Sequence, residues 1–348
     1  MRTALAIFLT GLFWAGFAHA QQREPMPEPD SDYASYGWTA FGPLHGVNLG
    51  NFLEAPTEGA WSDGRLLQAN DFSIIKQAGF NIIRVPIRWA EHVGPAPDFT
   101  IDPAFFSRVD WVVAQAEKND LTAILDYHND DALMKDPDAN GDRFVAIWKQ
   151  IAAHYQTAPA SIYFELLNEP NGKLDAPKWN NLLGRTLTVV RATNPGRLIV
   201  VGPVWWNSIG ALDSLVLPES DQGLLVTVHF YDPMTFTHQG ASWVGGSDKW
   251  LGNTWQGTNA EKLAVTQAFN KAAAWGKAHK RPMYLGEFGA FSRGDMASRA
   301  RWTAFVARTA ESHGFPWTYW EFCSGFGAYD PQAQQWRQPL LDALRPPK

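Results

Sequence analysis

Two glutamates stand four residues apart in "IYFELLNEPNG", Ile162 to Gly172, the second directly before a proline, and a third, Glu287, lies in "MYLGEFGAF" between Gly286 and Gly289. Two carboxyl groups facing one cleft can divide acid–base work: a protonated one donates to a leaving oxygen while an ionised one attacks or activates water. Strand side chains alternate, so Glu165 and Glu169 share a face about 13 Å apart at about 3.3 Å per residue, which puts Glu169 at the mouth and Glu165 deep inside. Pro170 ends the ladder and is expected to hold Glu169 extended. Glu165 then reads as a structural acid in need of a cation or donor, because a lone buried carboxylate is costly. Glu287 ends a run too apolar for a charge to stand there by propensity. Its plainer reading is an ion pair at the rim, with Arg293 as a candidate.

Elements that would position these acids recur along the chain. Runs rich in β-branched and aromatic residues start at Leu44, Asn81, Leu121, Ile162, Arg197, Leu224, Pro282 and Trp317, and segments of helical period separate them. "DPAFFSRVDWVVAQAEKND" opens on Asp102 as a cap with Pro103 in the first helical position, and "GDRFVAIWKQIAAHY" aligns Phe144, Ile147, Trp148 and Ile151 on one stripe. Strand, helix, strand, repeated eight times, predicts parallel pairing closed into a single-domain α/β fold, a (β/α)8 TIM barrel. An open doubly wound sheet is the alternative, but the chain lacks a G-x-G-x-x-G fingerprint and a phosphate loop. In a barrel, chemistry belongs at the carboxyl ends of the strands. There stand Arg84, Tyr127-His128-Asn129, Asn168-Glu169, His229 with Tyr231, Glu287 and Trp320. His45, near the first strand, carries no assigned role.

The surroundings narrow the chemistry. Residues 1–20, with an apolar run ending at Ala18-His19-Ala20, read as a signal peptide, residues 21–32 as a disordered lead-in and 33–348 as the catalytic domain. The expected product is a secreted or periplasmic monomer that neither spans a membrane nor carries an internal disulfide, since Cys323 is the only cysteine and reads as a packing residue. A net charge of −6 without a basic block excludes a nucleic-acid partner. No H-E-x-x-H or paired histidine on the first strand suggests a metal, and no cofactor is expected. Of 17 tryptophans, Trp61, Trp89, Trp205, Trp206, Trp243, Trp250 and Trp255 fall in expected loops. Flat amphipathic rings beside a cleft suit the apolar face of a pyranose. Together with two acids, they favour glycoside hydrolysis over a metal-dependent hydrolase or a carbohydrate-binding barrel without catalysis. The span from Asp232 to Asn259 is the longest expected loop and a candidate cleft wall.

"LLNEP" with "LGEFGAF", "NIIRVPIRW", "HFYDP" and "YWEF" resemble glycoside hydrolase family 5, and "FYDPMTFTHQGASW" with "GNTWQGT" resemble its bacterial endo-β-1,4-glucanases. The resemblance runs from about Gly46 to the C-terminus. It implies a retaining (β/α)8 enzyme with Glu169 as acid/base and Glu287 as nucleophile. By the same carry-over, Arg84 and Tyr231 would keep Glu287 ionised, Asn168 would hold the 2-hydroxyl, His128 and His229 would shape the subsite, and Trp320 would lie beneath the sugar. The implied substrate is a β-glucan polysaccharide or oligosaccharide, with β-mannan as the alternative. At Asn129 the chain departs from the family, many members of which carry a second histidine there.

Overall fold

The computed structural model describes residues 44–128 and 130–346. The expected leader, the lead-in, residues 33–43 and Asn129 lie outside them. Eight parallel strands close in chain order into one barrel: β1 His45–Asn48, β2 Ile82–Ile87, β3 Thr122–Tyr127, β4 Ile162–Glu165, β5 Ile199–Val201, β6 Leu224–His229, β7 Met283–Glu287 and β8 Trp317–Tyr319. A two-stranded ribbon, β9 Tyr329–Asp330 with β10 Gln335–Trp336, follows. The helices are α1 Ala69–Gln77, α2 Pro103–Lys118, α3 Asp131–Lys135, α4 Pro137–His154, α5 Ala176–Thr193, α6 Val204–Asn207, α7 Met234–Thr237, α8 Asn259–His279, α9 Met296–Ser312 and α10 Gln338–Leu344. This is the expected single-domain (β/α)8 barrel.

Local chemistry sets the helix starts. Asp102 accepts the Ala104 N–H at 2.8 Å with Pro103 behind it, and Thr258 and Glu261 cap α8 reciprocally. The stripe Phe144, Ile147, Trp148 and Ile151 is buried against the barrel, as its spacing predicts. One crossover departs from the pattern. Between β5 and β6 the chain makes only α6 and a 3-10 turn at Ile209–Ser214, bracketed by Pro203 and Pro218, and α8 packs across that turn. The span after Asp232 is likewise not structureless, since it holds α7 and a 3-10 turn at Ser247–Trp250.

The barrel interior is graded along its axis. Leu44, Ile82, Ile124, Tyr163, Val200, Leu225 and Tyr284 form a separate apolar cluster toward the amino ends of the strands. One pleat further on, the inward positions become Asn48, Arg84, Asp126, Glu165, Thr227 and Thr318, all buried. The residues between them, such as Val47, Ile83, Leu125, Phe164 and Leu285, join the larger core under the helices. An apolar floor thus supports a polar mouth.

Candidate active site

Arg84, fully buried on β2, organises the mouth. Its Nε and Nη2 donate to the two oxygens of Glu165 at 2.7 and 2.8 Å, a bidentate pair. Nη1 donates to Asn48 Oδ1 at 2.9 Å and to Glu287 Oε1 at 2.7 Å, while Nη2 also reaches Asn168 Oδ1 at 2.8 Å and Asp126 Oδ2 at 2.9 Å. Glu165 is therefore structural, as its depth predicts, and Arg84 is its cation. Burial lowers the guanidinium's affinity for its proton, but Asp126, Glu165 and Glu287 outweigh this and push its pKa well above the ordinary value. The rim pairing of Glu287 with Arg293 is replaced by the deeper one with Arg84.

Glu287 reaches this site through a bulge. Its neighbours at the same parity, Met283 and Leu285, point to the outer core, while Tyr284 points inward. The β6–β7 register shifts after Val228, so that Val228 pairs Leu285 but His229 pairs Glu287, and Gly286 is skipped. The extra residue turns Glu287 into the barrel. Only glycine fits there: a Cβ on Gly286 would lie 2.4 Å from Thr227 Oγ1 and 3.0 Å from His229 Nε2. Tyr231 then donates its hydroxyl to Glu287 Oε2 at 2.8 Å.

Glu169 arrives differently. The expected strand through Glu169 stops at Glu165, so Asn168 and Glu169 stand on the loop that follows. Glu169 adopts φ 48 rather than the extended backbone that Pro170 was expected to impose. A left-handed glutamate before proline is strained, and such strain is tolerated where neighbours fix the side chain. His229 does so: its Nδ1 lies 2.7 Å from Glu169 Oε1 and 3.6 Å from Glu287 Oε2. Burial lifts Glu169 to about 7, partly opposed by Arg84 and reinforced by Glu165. Its side chain is still 24% exposed, against 6% for Glu287, so Glu169 is the acid with an edge to the cleft. The pair combines a carboxyl that keeps its proton near neutrality with one that accepts from Arg84 and Tyr231.

The remaining expected residues converge on the same mouth. His128 Nδ1 lies 2.6 Å from Asp126 Oδ2, and Asn168 Nδ2 is 3.3 Å from His128 Nε2. Burial, helped by Arg84, pulls His128 down to about 3, and burial pulls His229 down to about 4, so both rings are neutral. Trp320, one residue past β8, is half-buried and parallel to the His128 ring at 5.9 Å; a Cβ on Gly50 would strike its indole at 2.8 Å. Tyr231 lies two residues beyond the end of β6. Trp61, Trp205, Trp206 and Trp243 are exposed and Trp250 is half-buried, but Trp89 and Trp255 are core residues, packed on Phe105 and Phe106 and on Phe305 respectively. Cys323 is buried within reach of Arg65, and burial raises its thiol pKa, so it is a packing residue.

Three functional partners escaped sequence reasoning. Asp126 shares inward parity with Ile124, a signal that was available, and burial raises it to about 7. Asn48, inward at the end of β1, donates to Gly286 O at 3.0 Å as well as receiving Arg84. Asn207, whose Nδ2 lies 3.2 Å from His229 Nε2, left no signal in the sequence. Among the described residues, Glu169, His229 and Glu287 also have the proximity to hold a metal ion, with one ligand atom from each within 4.8 Å of the others. For His229 to ligate there, Nδ1 would first have to give up the hydrogen shared with the carboxylates.

Over most of its described length the chain is similar to known proteins. Endoglucanase H of Acetivibrio thermocellus is 35% identical over 276 residues, covering 79% of this chain and 29% of that protein. Cellulase/esterase CelE of the same organism is 30% identical, covering 79% of this chain and 35% of that protein, so the chain spans about a third of the length of these two relatives. Among solved structures, Cel5A of Thermotoga maritima in complex with mannotriose superposes with a TM-score of 0.84 at 44% identity, covering 86% of this chain and 97% of that one. The same enzyme has been solved with cellobiose, at a TM-score of 0.85. The family model described as cellulase (glycosyl hydrolase family 5) matches residues 44–325, and the chain belongs to that family.

Proposed function

We propose that this chain is a secreted, retaining endo-β-1,4-glucanase that acts on cellulose-type β-glucans by double displacement. The observation that carries the reading is the Glu169–Glu287 pair, whose nearest oxygens sit within 4.8 Å of each other beside His229. Retaining glycosidases hold their carboxyl groups about 5 to 5.5 Å apart, whereas inverting ones need about 6.5 to 9.5 Å to admit a water. Glu169 protonates the leaving oxygen as Glu287 attacks the anomeric carbon, and then, as the carboxylate, activates water against the glycosyl-enzyme. Arg84 and Tyr231 donate to Glu287 and aim it, Asn168 has one amide hydrogen left for the 2-hydroxyl, and Trp320 supplies the flat apolar face beneath the ring. The endo-acting reading draws on the names of the relatives. Export draws on the leader-like residues 1–20, and N-terminal sequencing of the exported protein tests it by finding Gln21 first.

Proton NMR of early products decides the stereochemistry: β-anomers appear first for retention, and early α-anomers would overturn it. EDTA is expected to leave turnover unchanged. One observation favours a second substrate. A relative 44% identical has been solved with mannotriose, so β-mannan is the alternative polymer. Product sizes from soluble cellulose derivatives, mixed-linkage glucan, xyloglucan and mannan rank the substrates.

A further inference from the structure

His229 is the only side chain described here that touches both candidate carboxylates, and its own support comes from an unusual turn. After β5 the chain passes through Trp205, Trp206 and Asn207 with φ 59, 58 and 55, three consecutive left-handed residues without a glycine. Asparagine tolerates that region, tryptophan much less so. The run is pinned at both ends. Trp206 N–H donates to Pro170 O, next to Glu169, at 3.3 Å, and Ser208 forms a bridge to His229 of β6. It turns the two tryptophans to solvent and buries Asn207 completely. Gly202 leaves the room for it, since a Cβ there would lie 2.1 Å from Asn207 Oδ1.

The hydrogen of a neutral His229 has one place to go. Nδ1 faces an oxygen of Glu169 at 2.7 Å and one of Glu287 at 3.6 Å, so the N–H belongs there and Nε2 is left as a buried lone pair. Asn207 Nδ2, 3.2 Å from Nε2, is the donor that satisfies it. The amide turned over would set two acceptors against each other. We infer that Asn207 is a positioning residue that fixes His229 as the Nδ1–H tautomer and thereby keeps the transferable proton of Glu169 on Oε2. With Nδ1–H occupying Oε1, the acid proton sits on the oxygen that His229 does not hold. In the opposite tautomer Nδ1 would accept that proton and sequester it from the substrate. In the productive step the Oε2–H bond breaks as an O–H bond forms on the glycosidic oxygen. The C1–O pair leaves with that oxygen, and a Glu287 oxygen supplies the new bond to C1.

This inference rests on Glu169 as the proton donor, and the test separates the two. Values of kcat/KM are compared for aryl β-cellobiosides with a poor leaving group, which needs the proton, and an activated one, which does not. Asn207→Gly keeps the left-handed backbone and removes the donor; Asn207→Asp replaces the donor with an acceptor and favours the opposite tautomer. Both are expected to lose about 10²-fold on the poor substrate and stay within about threefold of wild type on the activated one. Equal loss on both substrates, or no selective loss, would overturn the inference provided Glu169→Ala shows the selective loss. If Glu169→Ala also loses both equally, the assignment of Glu169 falls and takes the inference with it. Histidine-selective nitrogen NMR of the unmodified protein gives an answer that does not depend on how the variants fold: His229 protonated at Nδ1 supports the inference, and protonation at Nε2 ends it.

Discussion

The two ends of the barrel use the same residue types to opposite effect. At the floor, His45 stacks on Trp317 at 4.6 Å with Arg345 at 3.3 Å from its Nδ1, and Glu311 is shared by Arg308 and the Trp317 N–H. Cations outnumber carboxylates there, and burial, then Arg345 and Arg308, pull His45 down to about 3. At the mouth the count is reversed: Arg84 alone faces Asp126, Glu165 and Glu287. Burial lifts Glu169 and Asp126 to about 7, and Glu54 and Glu321, further buried acids on loops after β1 and β8, to about 8 and about 7. Histidine, arginine and glutamate at one end of a barrel do not make an active site. A surplus of buried carboxylate with one exposed edge does, because only that arrangement stores a proton near neutrality and can hand it over.

The largest expected contrast comes from removing one carboxylate at each end. Glu287→Gln is expected to cut kcat on the order of 10⁴-fold while oligosaccharide binding persists, since Gln fills the same space but neither attacks carbon nor carries charge. Glu311→Gln at the floor should leave kcat/KM within about twofold and cost about 1 kcal/mol of stability. Turnover and calorimetric binding of both variants check the pair. Comparable loss of kcat in the two would break the distinction between the ends.

Arg84→Lys sharpens the comparison energetically. Lysine keeps the charge but not the planar fork, so the bidentate hold on Glu165 and the simultaneous contacts to Glu287, Asn48 and Asn168 cannot all survive. Leaving buried carboxylates unpaired costs about 3 to 5 kcal/mol. Urea unfolding should show that loss, with kcat falling alongside it. A variant that keeps wild-type stability would mean that the mouth carries no stored charge imbalance.

What the sequence made legible follows from what is local. The strand–helix alternation, Glu169 before its proline, and the polar residues ending apolar runs were all visible, because each depends on neighbours within a few positions. The aim of Glu287 was not. Parity alone sends it outward with Leu285, and the bulge that turns it inward is a fact about β6 pairing with β7. The left-handed φ of Glu169 and of residues 205–207 likewise answers tertiary contacts rather than propensity. Trp89 and Trp255 illustrate the same limit, since whether a loop tryptophan faces sugar or core is decided by residues far along the chain, such as Phe305.

A pH profile probes the mouth more gently. In the proposed acid role Glu169 donates only while protonated, and its proton is lost as pH rises through about 7. On substrates with poor leaving groups, kcat/KM should therefore fall about tenfold per pH unit above that point. Activated substrates should show no such limb. A limb near the ordinary glutamate range would show that burial does not lift Glu169.

The floor gives the smallest effect and the cleanest sign. His45 has a folded pKa depressed to about 3, below the 6.5 of an ordinary histidine, so the unfolded chain binds a proton there that the folded chain does not. Its contribution to stability is complete above pH 6.5 and is lost as pH falls from there toward 3. His128 and His229 add slopes of the same sign, so the whole protein cannot isolate this one. His45→Phe can: the ring stays on Trp317 while the titration disappears. Unfolding free energies at pH 4.5 and 7.5 should then lie closer together in the variant than in wild type. Turnover should be unchanged, because no part of the floor touches Glu169 or Glu287. An unaltered gap would show that His45 binds its proton as readily in the folded barrel as in the unfolded chain, and a wider gap in the variant would show that it is charged and paired with Glu311, 3.5 Å away, which would make the floor an ion-pair site like the mouth.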